Sequence, residues 1–230
     1  MEIKTSTNPA YEAGSYIAQI INEHSGDVFC FLSGGSALSV VEHLEINRDK
    51  SECRTIFCMG DERGSREAKI NNFLQLQEMY PDHPISKLAL ETVPYEDESL
   101  ENFSTRVSNQ IEKIFSELEN PLVIHVVGVG KDGHTAGIFP LDKESFQETY
   151  RADSTYVPVQ VEGLTIDSRA SLTPGWILNN VNHVVGYITG ESKREILESL
   201  INESKELHER PAELLKIHNN TVVYTDLEIV

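Results

Sequence analysis

The sequence predicts one α/β domain over residues 1–230, built on a doubly wound, mostly parallel β-sheet that is flanked by helices. Three observations predict this fold class. Short apolar runs alternate with amphipathic helical patterns along the chain, as in successive βα units. The run Leu122–Val127 is almost wholly apolar, as expected for a strand buried on both faces of a parallel sheet. No repeat, low-complexity tract or linker divides the chain.

The other elements follow from the same periodicities, with turn residues at their ends. In the first half we expect a helix from Pro9 capped by Ser6, Thr7 or Asn8, a strand over Val28–Leu32, a helix over Ala37–Leu44, a strand over Thr55–Met59, a helix near Phe73–Met79, an irregular stretch over Pro81–Pro94 and a helix over Leu100–Leu118. In the second half we expect a polar stretch after Pro140, an edge strand over Thr155–Val161, a strand over Arg169–Thr173, a helix from Pro174, a strand over His183–Ile188, a helix over Arg194–Leu200 capped by Thr189 or Ser192, a helix from Pro211 and a strand over Thr221–Thr225.

Composition narrows the class of protein. The net charge of −18 argues against binding to nucleic acid or to anionic membranes. No segment approaches the run of about 20 apolar residues that spans a bilayer, and the N-terminus lacks the features of a secretory signal. The three cysteines, Cys30, Cys53 and Cys58, show no C-x-x-C spacing, which favours reduced core thiols. We therefore expect a cytoplasmic protein.

Polar loops follow three of the predicted strands directly: Ser33–Ser36, residues 60–64 and residues 128–135. Ligands of open α/β sheets bind at the carboxyl ends of the strands, so these loops predict the site. The first loop suits a phosphate cradle of backbone N–H groups, and equally a tight turn capped by Ser36. In the second loop Arg63 suits phosphate because of its planar guanidinium, whereas a solvated loop position is a reasonable alternative for Glu62 and Arg66.

The third loop requires care because Gly128, Gly130 and Gly133 satisfy the G-x-G-x-x-G pattern of dinucleotide-binding proteins. That pattern needs a full helix directly after the third glycine, and here Pro140 interrupts it. No acidic residue ends a second strand at the expected distance. We therefore interpret the loop as a catalytic turn, and we expect no nicotinamide cofactor.

The histidine in this turn is a candidate for general acid–base catalysis. A histidine near its ordinary pKa can act in turn as general base and general acid, which makes His134 the candidate catalytic residue. Asp132, two residues earlier, is placed to orient the imidazole. No H-x-x-x-H motif or carboxylate triad occurs, so no metal is expected. His125 lies inside a strand and is expected to be packed and hydrogen-bonded.

Five segments, in order, resemble the family of 6-phosphogluconolactonases and glucosamine-6-phosphate deaminases/isomerases: Leu32–Ser36, Gly60–Arg63, Gly128–Ala136, Arg169–Thr173 and Thr189–Lys193. The GxGxDGHTA segment is the most specific. The resemblance implies a Rossmann-like fold of the sugar-phosphate isomerase type. The deaminase branch typically carries a glutamate five residues after the histidine, where this chain has Phe139, and an aromatic residue where it has Arg63. Both differences favour the lactonase branch.

The resemblance implies hydrolysis of 6-phospho-D-glucono-1,5-lactone to 6-phospho-D-gluconate in the pentose phosphate pathway, without a cofactor. It implies His134 as general acid/base and Asp132 as its partner. The substrate- and phosphate-binding residues that it implies are Ser33, Gly34, Gly35, Ser36, Asp61, Arg63, Lys131, Gly133, Arg169 and Lys193. The only expected partner is the sugar phosphate lactone, bound by a monomer or a homodimer.

Two other functions stay open: a glucosamine-6-phosphate deaminase or isomerase, and a non-catalytic sugar-phosphate-binding protein. The chain also departs from the family pattern at two places. Ala37 and Leu38 stand where the pattern continues with threonine and proline, and the loop after Arg63 is one residue shorter. Arg169 has an alternative role as the ion-pair partner of Asp167 or Glu162.

Overall fold

A computed structural model describes residues 1–48, 53–161, 163 and 168–229. The β-strands are β1 (Glu2–Thr5), β2 (Val28–Leu32), β3 (Thr55–Met59), β4 (Asp61–Arg63), β5 (Leu122–Val127), β6 (Tyr156–Gln160), β7 (Ser168–Leu172), β8 (His183–Tyr187) and β9 (Thr221–Thr225). The α-helices are α1 (Pro9–Glu23), α2 (Asn72–Met79), α3 (Pro84–Leu88), α4 (Leu100–Glu117), α5 (Lys143–Thr149), α6 (Pro174–Asn180), α7 (Arg194–Asn202) and α8 (Leu214–Ile217). Three 3-10 helices span Gly35–His43, Glu191–Lys193 and Pro211–Glu213.

The main sheet has six parallel strands in the order β1-β9-β8-β5-β2-β3. Alternate residues of β2 face opposite sides of it: Phe29 and Phe31 join the core on the side of α4, and Cys30 joins the core on the side of α1. Helices therefore cover both faces, and the predicted doubly wound parallel fold is confirmed. Cys30 and Cys58 are buried free thiols, as expected.

A second, three-stranded antiparallel sheet, in the order β4-β7-β6, was not predicted. It packs against α4 and shares the core on that side of the main sheet. Its first strand is Asp61–Arg63, so the prediction of a loop there is wrong. Strand β6 lies at an edge of this sheet, as expected for a strand that contains Pro158. Because both sheets build one core, we propose that they form one domain.

Several local predictions are corrected. The segment after β2, Gly35–His43, is a 3-10 helix and not an α-helix, and the hydroxyl of Ser39 donates to the carbonyl of Ser36 within it. Helix α7 starts at Arg194 with Lys193 as its N-cap residue, and no side-chain hydrogen bond caps it, so the predicted cap from Thr189 or Ser192 is not formed. Short elements were missed where apolar periodicity is weak: β1 at an edge of the main sheet, α3, and α5, which buries only Phe146.

His125 lies at the centre of the main sheet and is fully buried. Its ring meets Phe31 edge-on, with the centroids 6.1 Å apart, and contacts Gly60, where an added Cβ would lie 2.2 Å from Nε2. The prediction of packing is confirmed. The prediction of hydrogen bonding is wrong, because neither ring nitrogen has a partner among the described residues. Burial lowers the pKa of His125 to about 3, with a smaller contribution from His218.

This burial predicts acid sensitivity. The unfolded chain takes up a proton on this histidine near pH 6.5, whereas the folded chain resists protonation down to about pH 3, so stability is lost as the pH falls below 6.5. At pH 5 we expect this histidine to lower the free energy of unfolding by about 2 kcal/mol relative to neutral pH. The measurement is the urea midpoint of the wild type and of His125→Leu at both pH values. An equal loss in the two proteins would contradict the assignment, and His208→Leu is the control.

Candidate active site

The carboxyl ends of the parallel strands open into a cavity of about 230 Å³. The chain leaves β2 toward β3 on one side and leaves β5 toward β8 on the other, so their loops diverge and leave a crevice. Nine of the residues predicted for the site line this cavity: Ser33, Gly34, Gly35, Ser36, Asp61, Arg63, His134, Arg169 and Lys193. The crevice therefore brings together segments that lie up to about 160 residues apart in sequence.

The loop after β5 is a tight turn held by its own backbone. Gly130 N–H donates to the carbonyl of His134 at 2.8 Å, and Gly133 N–H donates to Gly130 at 3.0 Å. The hydroxyl of Thr135 donates to the carbonyl of Gly128 at 2.8 Å. Only glycine fits at position 130, because an added Cβ would lie 2.1 Å from Nδ1 of His134. The turn thereby fixes where the imidazole points.

His134 and Asp132 form a close pair. Nδ1 of His134 lies 2.6 Å from Oδ1 of Asp132, and the backbone N–H of His134 donates to the same oxygen at 3.2 Å. Partial burial opposes ionisation of Asp132, yet the hydrogen bonds from His134 bring its pKa below the ordinary value. A carboxylate only accepts, so the pair assigns the Nδ1 proton to His134 and leaves the lone pair of Nε2 free.

Phe139 lies against the face of His134, with 4.6 Å between the ring centroids. The guanidinium of Arg169 lies 5.2 Å from the centroid of the same phenyl ring. Phe139 is buried, and its backbone N–H donates to the hydroxyl of Tyr150, which itself donates to the carbonyl of Gly137. Sequence reasoning missed Tyr150, whose only signal was an aromatic residue in a polar stretch.

Two arginines face each other across the antiparallel sheet, because Arg63 of β4 pairs directly with Arg169 of β7. Like charges in this arrangement repel unless an anion lies between them. Asp61 partly offsets the repulsion, with Oδ2 3.7 Å from Nη1 of Arg169. The Nε groups of both arginines and the hydroxyl of Ser33 are buried, and they have no hydrogen-bond partner among the described residues. The site thus presents unused donors to a ligand.

Burial raises the pKa of both acidic side chains of β4. It raises the pKa of Asp61 against the opposing effect of Arg169 and Arg63. Burial also raises the pKa of Glu62 to about 8, against hydrogen bonds from Asn72 and Arg63. The alternative of a solvated Glu62 does not hold, since alternation along β4 directs its side chain away from the cavity, where it is buried against the start of α2.

Lys193 lines the cavity from the segment that follows β8. Its ammonium donates to the carbonyl of Val129, and burial lowers its pKa, against the opposing effect of Asp132. The turn before it depends on Gly190, which has a φ of 86°. Lys193 is therefore anchored to the turn after β5 and is not a freely solvated helix residue.

Three predicted residues do not line the cavity. Asp132 is connected to the cavity only by its hydrogen bond to His134. Gly133 provides the positive φ of 84° that the turn requires, and Lys131 is exposed to solvent. Sequence reasoning also missed lining residues, among them Asn72 and Tyr187. Tyr187 ends an apolar strand and carried no polar signal, whereas the Asn71-Asn72 pair was visible but had no assigned role. The alternative partners of Arg169, Asp167 and Glu162, lie outside the described residues.

The described part of the chain contains no group of three or more His, Cys, Asp or Glu side chains arranged to hold a metal ion. None of its helices is both long and apolar enough to cross a membrane.

The sequence model of the family described as glucosamine-6-phosphate isomerases/6-phosphogluconolactonase matches residues 5–224. The chain belongs to this family. The match includes all five segments that carried the resemblance, and the predicted recognition is therefore confirmed at the level of the family.

Individual relatives divide between the two branches of the family. The chain is 29% identical over 135 residues to a 6-phosphogluconolactonase of Borreliella burgdorferi, an alignment that covers 50% of this chain and about half, 54%, of the relative. A 6-phosphogluconolactonase structure from Shewanella baltica matches with a TM-score of 0.76 at 19% identity, covering 97% of this chain and 96% of that one. A monomeric glucosamine-6-phosphate deaminase matches with a TM-score of 0.75 at 16% identity, covering 98% and 97%. The shared fold does not separate the two activities.

Proposed function

We propose that the protein hydrolyses 6-phospho-D-glucono-1,5-lactone to 6-phospho-D-gluconate, a reaction of the pentose phosphate pathway. The observation that carries the proposal is the contact between Phe139 and the ring of His134. By resemblance, the deaminase branch has a glutamate at that position to tune the histidine. Here the position is apolar and buried, and among the described residues Asp132 is the carboxylate bonded to the imidazole.

The pair His134–Asp132 supports a two-step hydrolysis. Nε2 of His134 takes a proton from water as the water oxygen attacks the lactone carbonyl carbon. When the bond from that carbon to the ring oxygen breaks, the imidazolium returns the proton to the ring oxygen, which becomes a hydroxyl group. Asp132 holds the correct tautomer and stabilises the transient imidazolium, as a carboxylate does in catalytic triads. The new carboxylic acid then ionises in solution.

The arginine pair supports binding of the 6-phosphate. A dianion between Arg63 and Arg169 relieves the repulsion across β4 and β7 and offers acceptors to their unused Nε groups. The backbone of Gly34 and Gly35 borders the same cavity. These contacts hold the substrate so that the lactone carbonyl meets the imidazole, which converts binding into positioning.

A second candidate function is deamination of glucosamine 6-phosphate. It is favoured by one observation, since Asp61 provides a second carboxyl group with a raised pKa in the same cavity. The ion pair with Arg169 argues that Asp61 orients that arginine instead. The two candidates share the phosphate site and differ in the reaction at the first carbon of the sugar.

The test measures both reactions with the purified protein. The lactone is generated in situ, its opening is followed by acid release, and the spontaneous rate is subtracted using heat-denatured protein. Ammonia release from glucosamine 6-phosphate is followed alongside. We expect fast lactone opening and no ammonia. Ammonia release without accelerated lactone opening would transfer the protein to the deaminase branch, and activity in neither assay would leave a binding protein.

The turn at Gly130 provides a further prediction. In Gly130→Ala the new methyl group would overlap Nδ1 of His134 and also Oδ1 of Asp132, which lies 2.4 Å from it. We expect the pair to separate and kcat for lactone opening to fall by about tenfold to a hundredfold, because a displaced base loses its alignment. Gly163→Ala is the control: the added Cβ has open space and lies outside the cavity, but the φ of 85° strains the alanine, so this variant costs stability without touching the His134–Asp132 pair. Unchanged kcat in Gly130→Ala would contradict the pairing.

A further inference from the structure

The carboxyl group of Glu62 connects two elements beside the cavity without lining it. It is fully buried and accepts four hydrogen bonds. Oε1 accepts from the backbone N–H groups of Arg63 at 2.7 Å and Asn72 at 2.6 Å. Oε2 accepts from the backbone of Phe73 at 3.0 Å and from the hydroxyl of Thr92 at 2.8 Å. Since residues 72 and 73 begin α2, the carboxylate ties the first turn of this helix to β4.

The side chain of Asn72 extends this connection to the loop after β2. Its Nδ2 donates to the carbonyl of Asp61 at 2.9 Å. Its Oδ1 is buried, has no hydrogen bond to a described residue and lies against Gly34. An added Cβ on Gly34 would lie 2.0 Å from this oxygen. The amide therefore acts as a spacer between β4 and the Gly34–Gly35 turn.

We propose that Glu62 is a positioning residue for anion binding. Its carboxylate fixes the start of α2 on β4, and through Asn72 it sets the distance between the Gly34–Gly35 turn and Arg63. An anion that is bound by donors from two separate elements is held tightly only if those elements keep a fixed separation. This inference deepens the proposed function and rests on it only for the choice of ligand.

The first test compares two substitutions of Glu62. Glu62→Ala removes all four hydrogen bonds. Glu62→Gln keeps a carbonyl that can accept from Arg63 and Asn72 and an amide that can donate to the hydroxyl of Thr92, so that only the hydrogen bond from the backbone N–H of Phe73 is lost. We expect the Kd of 6-phosphogluconate to rise about tenfold or more in Glu62→Ala, the equivalent of one lost charged hydrogen bond, and by less than about threefold in Glu62→Gln. Calorimetric titration measures both, and inorganic phosphate serves as the second probe.

The second test examines the contact between Asn72 and Gly34 by a double-mutant cycle. Gly34→Ala is expected to weaken binding strongly in the wild-type background, because its methyl group meets the amide. In the Asn72→Ala background the same change has room, and we expect its effect on the Kd to shrink by about fivefold or more. If Asn72 acted only by touching the ligand, the two effects would be additive. Additive effects would overturn the proposal.

A matched control separates positioning from general loss of stability. Glu98 also accepts a backbone hydrogen bond, from Tyr95 at 2.9 Å, and pairs with Arg106 at 2.8 Å, but it does not line the cavity. We expect Glu98→Gln to lower the Tm and to leave the Kd unchanged. A folded Glu62→Ala with the wild-type Kd would overturn the proposal. If Glu62→Ala does not fold, the cycle with Asn72 and Gly34 decides.

Binding also separates this inference from the proposed function. A wild-type protein that binds 6-phosphogluconate without opening the lactone would contradict the lactonase activity, while the Kd values would still test Glu62. A wild-type protein that binds neither 6-phosphogluconate nor phosphate would overturn both.

Discussion

His134→Ala is expected to reduce kcat for lactone opening by about a hundredfold to ten-thousandfold, the usual range for a general acid–base residue, with a much smaller change in KM. In the proposed mechanism the imidazole transfers protons in both steps, and no other described histidine lines the cavity. The phosphate contacts proposed for Arg63 and Arg169 do not involve it. The measurement is the initial rate of acid release at saturating lactone, corrected for spontaneous opening.

Two further variants sharpen this result. Asp132→Asn keeps an oxygen that can accept from Nδ1 but removes the charge that stabilises the imidazolium, so we expect an intermediate loss of kcat. His208→Ala replaces a histidine outside the cavity and should retain full activity. A kcat of His134→Ala close to that of the wild type would remove His134 from the mechanism, whatever the protein's substrate.

Arg169→Ala is expected to raise KM for the phosphorylated lactone by about tenfold to a hundredfold, because charged hydrogen bonds contribute about 1.5–3 kcal/mol each. The same change should leave the opening of unphosphorylated glucono-1,5-lactone almost unaltered, since that substrate carries no anion. The decisive quantity is the ratio of kcat/KM for the two lactones in the wild type and the variant. A preserved ratio would show that Arg169 does not bind the phosphate.

Loss of Arg169 also leaves Asp61 buried without the cation 3.7 Å away. The pKa of Asp61, already raised by burial, should rise further, so the folded state of the variant is examined by its Tm before kinetics. Arg151→Ala removes an exposed arginine and is the control for the change in net charge. A loss of activity equal for both lactones would indicate damage to the fold instead of a lost phosphate contact.

Much of the fold could be predicted because its elements are local and strongly patterned. The runs Val28–Leu32 and Leu122–Val127 are apolar enough to require burial on both faces, and α4 shows its apolar stripe directly. Prediction failed where tertiary contacts decide. The segment 61–63 is short and polar, and it forms strand β4 because β7 lies beside it and pairs with it. The segment after β2 is a 3-10 helix, a conformation that its apolar periodicity does not distinguish from an α-helix.

The candidate site divides in the same way. Local order was enough to predict the family, the turn around His134 and the loops that meet at the sheet edge, because glycines, a histidine and strand ends follow one another directly in the chain. The three-dimensional packing of the chain was needed to show that Arg63 faces Arg169, that Phe139 covers the imidazole and that Glu62 is buried beneath α2. Phe139 meets the imidazole within one turn, which backbone hydrogen bonds between Thr135 and Ile138 close. The other two facts depend on the register of β4 against β7 and on which side of β4 each residue faces. A shift of one residue would reverse them, and no single stretch of sequence contains that information.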